Sequence, residues 1–183
     1  MIRALLFAVG GVMLAGIIHI VSVLQVPAFA PQDTWSRIAD IAPLDRFLRI
    51  RADTDDDAVH IPMLDPMMEH AVCRYSLEAG AVRMRATLPD TYWSVALYNR
   101  RGENIFSIND RAVATKDLDM LVLTPDQLAI IRENPPEELQ DILIIETDDM
   151  QGFALLHVFN GDTTLTPEIH AGLDAARCEI RPF

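Results

Sequence analysis

In residues 4–26 every side chain is apolar, glycine or weakly polar, apart from His19 and Gln25 near the far end. About 20 such residues cross the hydrocarbon core of a bilayer as a helix. A helix is required there because lipid offers backbone amides no partner. Arg3 and the amino terminus lie on the short side of the run. The bias of short cytoplasmic segments towards Lys and Arg therefore predicts a cytoplasmic amino end and a domain on the other side. Arg37, Arg46, Arg49 and Arg51 follow on that other side and oppose the bias. A cleaved signal peptide is the rival reading, since Ala28-Phe29-Ala30 has the small-x-small pattern of a cleavage site. The apolar run is longer than a signal core, and Pro31 would follow the scissile bond, so an uncleaved anchor is expected.

Within the run, Gly11 and Ala15 form a small-xxx-small pair that lets a second helix approach closely, and His19 is the one ionisable side chain. These three are the candidate helix-contact residues. A plain lipid-facing helix, with His19 reaching the interface, is the simpler alternative.

The remainder divides into a juxtamembrane stalk over residues 31–62 and a domain over residues 63–183, after the anchor at residues 1–30. In the stalk, Asp33 and Thr34 are N-cap candidates for a short helix with Trp35, Ile38 and Ile41 on one face, stopped by Pro43. Trp35 suits the aromatic belt at a membrane interface. The acidic run at residues 53–57 lacks the glycine and distal glutamate of a calcium loop and reads as solvated.

From Ala71 the period changes to two. Ala71, Cys73, Tyr75 and Leu77 alternate with Val72, Arg74 and Ser76, and residues 81–87 alternate again beyond Glu78-Ala79-Gly80. That pattern predicts a hairpin. Residues 92–98 and 105–108 form a second hairpin about Asn99-Arg100-Arg101-Gly102, and residues 118–123 a further strand. Thr124-Pro125-Asp126-Gln127 is a capping-box start with proline at the first helical position. Strands follow at residues 142–147 and 153–159, then a last helix from Thr166 with Ile169, Leu173 and Ala176 inward. Short strands at near-regular spacing give the fold class: mainly β, a jelly-roll-like β-sandwich with a few short helices behind one transmembrane helix.

Both cysteines, Cys73 and Cys178, lie in the exposed domain. Outside the cytoplasm such a pair is expected as a disulfide, with two buried thiols as the alternative. A net charge of −12, with Lys116 the sole lysine, repels phosphate backbones and argues against nucleic acid. No cofactor or metal motif is present among His19, His60, His70, His157 and His170, and no nucleophile elbow occurs. No catalytic residues emerge. His157, in an apolar strand, is expected to be a hydrogen-bonded core histidine. The stretch from Tyr92 to Arg111 is the most unusual. Tyr92, Trp93, Tyr98, Arg100, Asn109, Asp110 and Arg111 are the candidate contacts for a glycan or a peptide edge. The alternative is a packed strand pair with Asp110 bridging an arginine.

That stretch, Tyr-Trp-Ser-x-x-x-Tyr-Asn followed by Ser-Ile-Asn-Asp-Arg, resembles the signature of two related bacterial families of unknown function, the domain-of-unknown-function families 1254 and 1214. Asp65-Pro66, Ala71-Val72-Cys73-Arg74, Thr124-Pro125 and Ala175-Ala176-Arg177-Cys178 resemble the short, membrane-anchored members of family 1254. The resemblance implies a β-sandwich of the envelope and membrane anchoring; with the orientation predicted above, the expected place is the bacterial inner membrane with the domain periplasmic. It also implies a membrane protein partner, a companion from family 1214. It supplies no catalytic residues. The function expected is thus non-enzymatic assembly, with a periplasmic ligand-binding module as the alternative and a hydrolase as the third reading.

Overall fold

The computed structural model describes residues 1–29, 34–50, 64–113, 117–133, 135–139 and 142–181. The chain divides into two units, residues 1–33 and 34–183. The first consists of helix α1, Ile2–Phe29, whose stretch Ile2–Val26 is long and apolar enough to cross a membrane. Gly11, Ala15 and His19 recur at i, i+4 and i+8 and so share one exposed face of α1. The Asp33 cap candidate, the acidic run at residues 53–57, His60 and Lys116 lie outside the described residues.

The second unit is a β-sandwich, and its fold class is the one the sequence implies. Its elements are α2 (Thr34–Ile41), β1 (Phe47–Ile50), β2 (Met68–Ser76), β3 (Ala81–Thr87), β4 (Trp93–Asn99), β5 (Asn104–Asn109), β6 (Asp117–Leu123), α3 (Pro125–Glu133), β7 (Leu143–Glu146), β8 (Gln151–Phe159), α4 (Thr166–Ala175) and β9 (Arg177–Arg181). One sheet has the order β1-β2-β8-β4-β5, the other β7-β6-β3-β9. All ladders are antiparallel except β6–β7.

Alternation sets which side chains face the core, because successive residues of a strand point to opposite faces. Cys73 and Tyr75 of β2, Trp93, Val95 and Leu97 of β4 and Leu156 of β8 meet Val82 and Met84 of β3 and Met120 and Val122 of β6. Ile169 and Leu173 of α4 complete this core. The disulfide Cys73–Cys178 joins β2 of one sheet to β9 of the other, as expected for the cysteine pair of this domain.

The expected β2–β3 hairpin does not form. The two strands lie in different sheets, with β2 between β1 and β8 and β3 between β6 and β9. Gly80, at φ 147°, turns the chain from one sheet to the other. The β4–β5 hairpin is present, with a register shift between Leu97 and Tyr98. The capping box at α3 is also present: Gln127 N–H donates to Thr124 Oγ1 at 3.3 Å, and Thr124 N–H to Gln127 Oε1 at 3.1 Å.

Part of the segment read as a stalk is folded onto the sandwich. β1 pairs with β2, and α2 covers the outer face of the first sheet, with Ile38 and Ala42 packed against Ile50, Val72 and Phe153. The apolar face read for α2 therefore meets protein. Ile41 and Trp35 lie at the edge of the same cluster.

Candidate functional site

The seven candidate contacts of the β4–β5 hairpin divide among three places. Trp93 points into the core and is 2% exposed. Tyr98 lies on the outer face and stacks on Phe153, ring centroids 5.0 Å apart. Arg100, in the turn beyond it, has its guanidinium 6.0 Å from the Trp35 ring centre. Tyr92, Asn109, Asp110 and Arg111 gather at the opposite end of the hairpin. There Ser94 is the register partner of Asn109, and Asp110 N–H donates to Trp93 O at 3.1 Å. Asn109 Oδ1 accepts from Arg111 N–H at 3.1 Å, and Asp110 Oδ1 is buried without a hydrogen-bond partner. Six steps at about 3.4 Å place the two ends of β4 about 20 Å apart. The aromatic and basic residues thus do not form one surface.

The Tyr-Asn part of the signature has a structural use. Asn99 is 2% exposed and closes its own turn. Its Oδ1 accepts from the N–H groups of Arg101 and Glu103, each at 3.0 Å. Its Nδ2 donates to Glu103 Oε2 at 2.7 Å and Asp149 Oδ2 at 3.2 Å. The Asn99 amide and the nearby Arg101 guanidinium hold the Glu103 carboxyl below the usual carboxylate range.

Sequence reading missed a polar row on the outer face of the first sheet. His70 of β2, His157 of β8, Ser94 of β4 and Asn109 of β5 are successive register partners. The two imidazoles meet edge to face, with Nδ1 atoms 2.8 Å apart. His70 Nε2 lies 3.3 Å from Asp65 O. A carbonyl accepts only, so His70 carries its proton on Nε2 and its Nδ1 accepts from His157 Nδ1–H. Burial lowers the pKa of both rings. For His157 the neighbouring His70 adds to this, and the value falls to about 4. The hydrogen-bonded histidine expected at residue 157 is present. Its partner, 87 residues away, left no local signal.

A second cluster joins β2 to α4. Asn160 Nδ2 donates to Glu69 Oε1 at 3.2 Å, and Thr166 Oγ1 donates to Asn160 Oδ1 at 3.0 Å. His170 Nε2 lies 3.2 Å from Glu69 Oε2 but off the hydrogen-bonding direction, so the contact is an ion pair when His170 is protonated. Among the described residues no group of three or more His, Cys, Asp or Glu side chains is placed to hold a metal ion. The neutral histidine pair and the tied Glu69 suit packing more than proton transfer.

The outer end of this sheet also exposes large apolar side chains. Met67, Tyr92 and Phe159 are 48%, 41% and 39% exposed. They are neighbours in the backbone network, since Phe159 N–H donates to Tyr92 O and Asn160 N–H to Met67 O, both at 2.8 Å.

A family model described as "Protein of unknown function (DUF1254)" matches residues 47–179. No curated protein sequence matches the chain. Among solved structures, the VPA0106 protein from Vibrio parahaemolyticus superposes with a TM-score of 0.58 at 11% identity, over 79% of this chain and 32% of that one. An uncharacterized protein from Burkholderia cenocepacia gives a TM-score of 0.47 at 13% identity, over 75% of this chain and 34% of that one. The chain thus spans about a third of the length of these two solved relatives. The likeness to the Vibrio protein is one of fold.

Proposed function

We propose, from the premise that this chain belongs to the DUF1254 family, that it is a non-enzymatic, single-pass protein of the bacterial inner membrane. Its periplasmic sandwich assembles with a membrane protein partner, a companion from the related family 1214. The observation that carries the reading is the open apolar end formed by Met67, Tyr92 and Phe159. Large apolar side chains left exposed on neighbouring backbone segments mark surfaces that meet other protein. Three further features support it. α1 is apolar enough to span. The disulfide suits an oxidising compartment. The shared fold also occurs as about a third of a longer chain, where it is joined to more polypeptide.

The test is gentle detergent extraction of the tagged full chain followed by mass spectrometry of what co-purifies. A stoichiometric membrane protein that is lost on Tyr92→Asp and Phe159→Asp is the expected result. Repeated recovery of the chain alone as a monomer sinks the reading. Asn109, Asp110 and Arg111 border the same end, so the ligand-binding alternative is read on the same samples. A glycan retained by the wild type and released by Arg111→Ala would favour that alternative.

A further inference from the structure

Residues 30–33 alone separate the end of α1 from the start of α2. A fully extended chain covers at most about 3.6 Å per residue, so these four residues are a short tether. The 25-residue stretch Ile2–Val26, apolar on average, makes a helix of about 37 Å. That exceeds a hydrocarbon core of about 30 Å, so its end reaches the headgroup layer. With α1 inserted as proposed, a tether that short favours an interfacial role for the start of the second unit.

The side chains placed at that start are of the interfacial kind. Trp35 is half-buried, with the Arg74 guanidinium 5.8 Å and the Arg100 guanidinium 6.0 Å from its ring centre. Arg37 and Arg100 are exposed. Arg101, beside them, is engaged by Glu103 at 2.9 Å. A β carbon added at Gly102 would lie 4.0 Å from Thr34 Cβ, which puts the β4–β5 turn beside the start of α2. Tryptophan and arginine together suit the phosphate layer, the ring by its amphipathic shape and the guanidinium by paired bonds to phosphate oxygens. The chain as a whole carries a net charge of −12. An anionic bilayer therefore repels most of its surface, and a local cluster of cations decides which end turns to the lipid.

From this geometry we infer that Trp35, Arg37 and Arg100 form an interfacial anchor that seats the β4–β5 turn of the sandwich on the anionic phospholipid headgroups of the bilayer. The inference rests on α1 being membrane-inserted, as proposed above. It names the lipid-facing end of the domain, whereas the open apolar end lies at the other end of the same strands.

The experiment uses the full chain in vesicles of phosphatidylcholine, and of equal parts phosphatidylcholine and phosphatidylglycerol, with and without lipids brominated near the ester. Trp93 is buried, so the emission lost in Trp35→Phe is that of Trp35. The expected result is quenching of this emission by the brominated lipid. The quenching is stronger with phosphatidylglycerol, and it weakens in molar salt and in the Arg37→Glu, Arg100→Glu double variant. Absence of quenching overturns the anchor. So does quenching indifferent to lipid charge and to the two arginines, which would reflect the tether alone. Carbonate washing of the same vesicles separates the two levels. A chain that resists the wash but is not quenched loses only the anchor. A chain that the wash removes loses the membrane reading and the anchor together.

Discussion

His70 and His157 face each other across the β2–β8 ladder with Nδ1 atoms 2.8 Å apart, so a single proton serves the contact between them. Both rings are held neutral in the folded state, by burial first and, for His157, by its neighbour second. Their folded pKa values lie below the unfolded value near 6.5, so the unfolded chain binds more protons in the interval between. This part of the stability is fully present above pH 6.5 and is lost as pH falls from 6.5 towards about 4. The thermal midpoint should fall across that interval, and less so in His157→Gln, which cannot titrate. Parallel pH curves for the two proteins would refute the assignment.

The disulfide closes a loop of 105 residues between the two sheets. In the chain-entropy account, a loop that long stabilises by about 4–5 kcal/mol through the unfolded state. Cys73→Ser with Cys178→Ser should lower the urea-extrapolated stability of the intact chain by roughly that amount, and reductant should do the same to the wild type. If reductant leaves the unfolding midpoint unchanged, the bridge contributes little.

Trp93 and Tyr92 are adjacent in sequence and separated in role. Trp93→Ala opens a cavity between the sheets and should cost about 3–5 kcal/mol. Tyr92→Ala, at a position 41% exposed, should change stability by less than about 0.5 kcal/mol while weakening retention of the partner. Calorimetry of the two variants against the co-purification readout distinguishes them. Equal destabilisation by both would mean that Tyr92 belongs to the core.

Asn99 closes the β4–β5 turn with two accepted and two donated hydrogen bonds. Asn99→Ala leaves the N–H groups of Arg101 and Glu103 without their acceptor, and should cost about 2 kcal/mol. Asn99→Asp keeps the acceptor but sets a third carboxylate against those of Glu103 and Asp149. It should recover part of the loss only when those groups are protonated, as read by thermal unfolding at acidic and neutral pH. A neutral effect of Asn99→Ala at both pH values would show that the turn holds itself.

Alternation at residues 71–77 and 81–87 marked two strands, and the capping box marked the start of α3, because these signals are local. The partner of each strand was not legible. Tyr75, Leu77, Ala81 and Val82 are all buried. The same alternation about a glycine turn serves a hairpin or a corner between sheets. The sandwich builds a corner there because β8 occupies the side of β2 that β3 would have taken. For the same reason the histidine row was invisible: it exists only through the register of β2, β8, β4 and β5. The hairpin motif was conspicuous in sequence, yet its residues point to opposite faces and opposite ends, which composition does not reveal.

The order of strands has a consequence in time. β2 and β4 are neighbours only through β8, which begins at Gln151. A chain emerging from its amino end therefore carries the β1–β2 ribbon and the β4–β5 ribbon as two separate pieces, each with a bare edge able to pair with a stranger. Some four-fifths of the chain must appear before any strand can close that gap, and Cys178 follows later still. The first sheet works like a seam drawn shut by its last thread, so a molecule cut short before residue 151 is left as adhesive fragments.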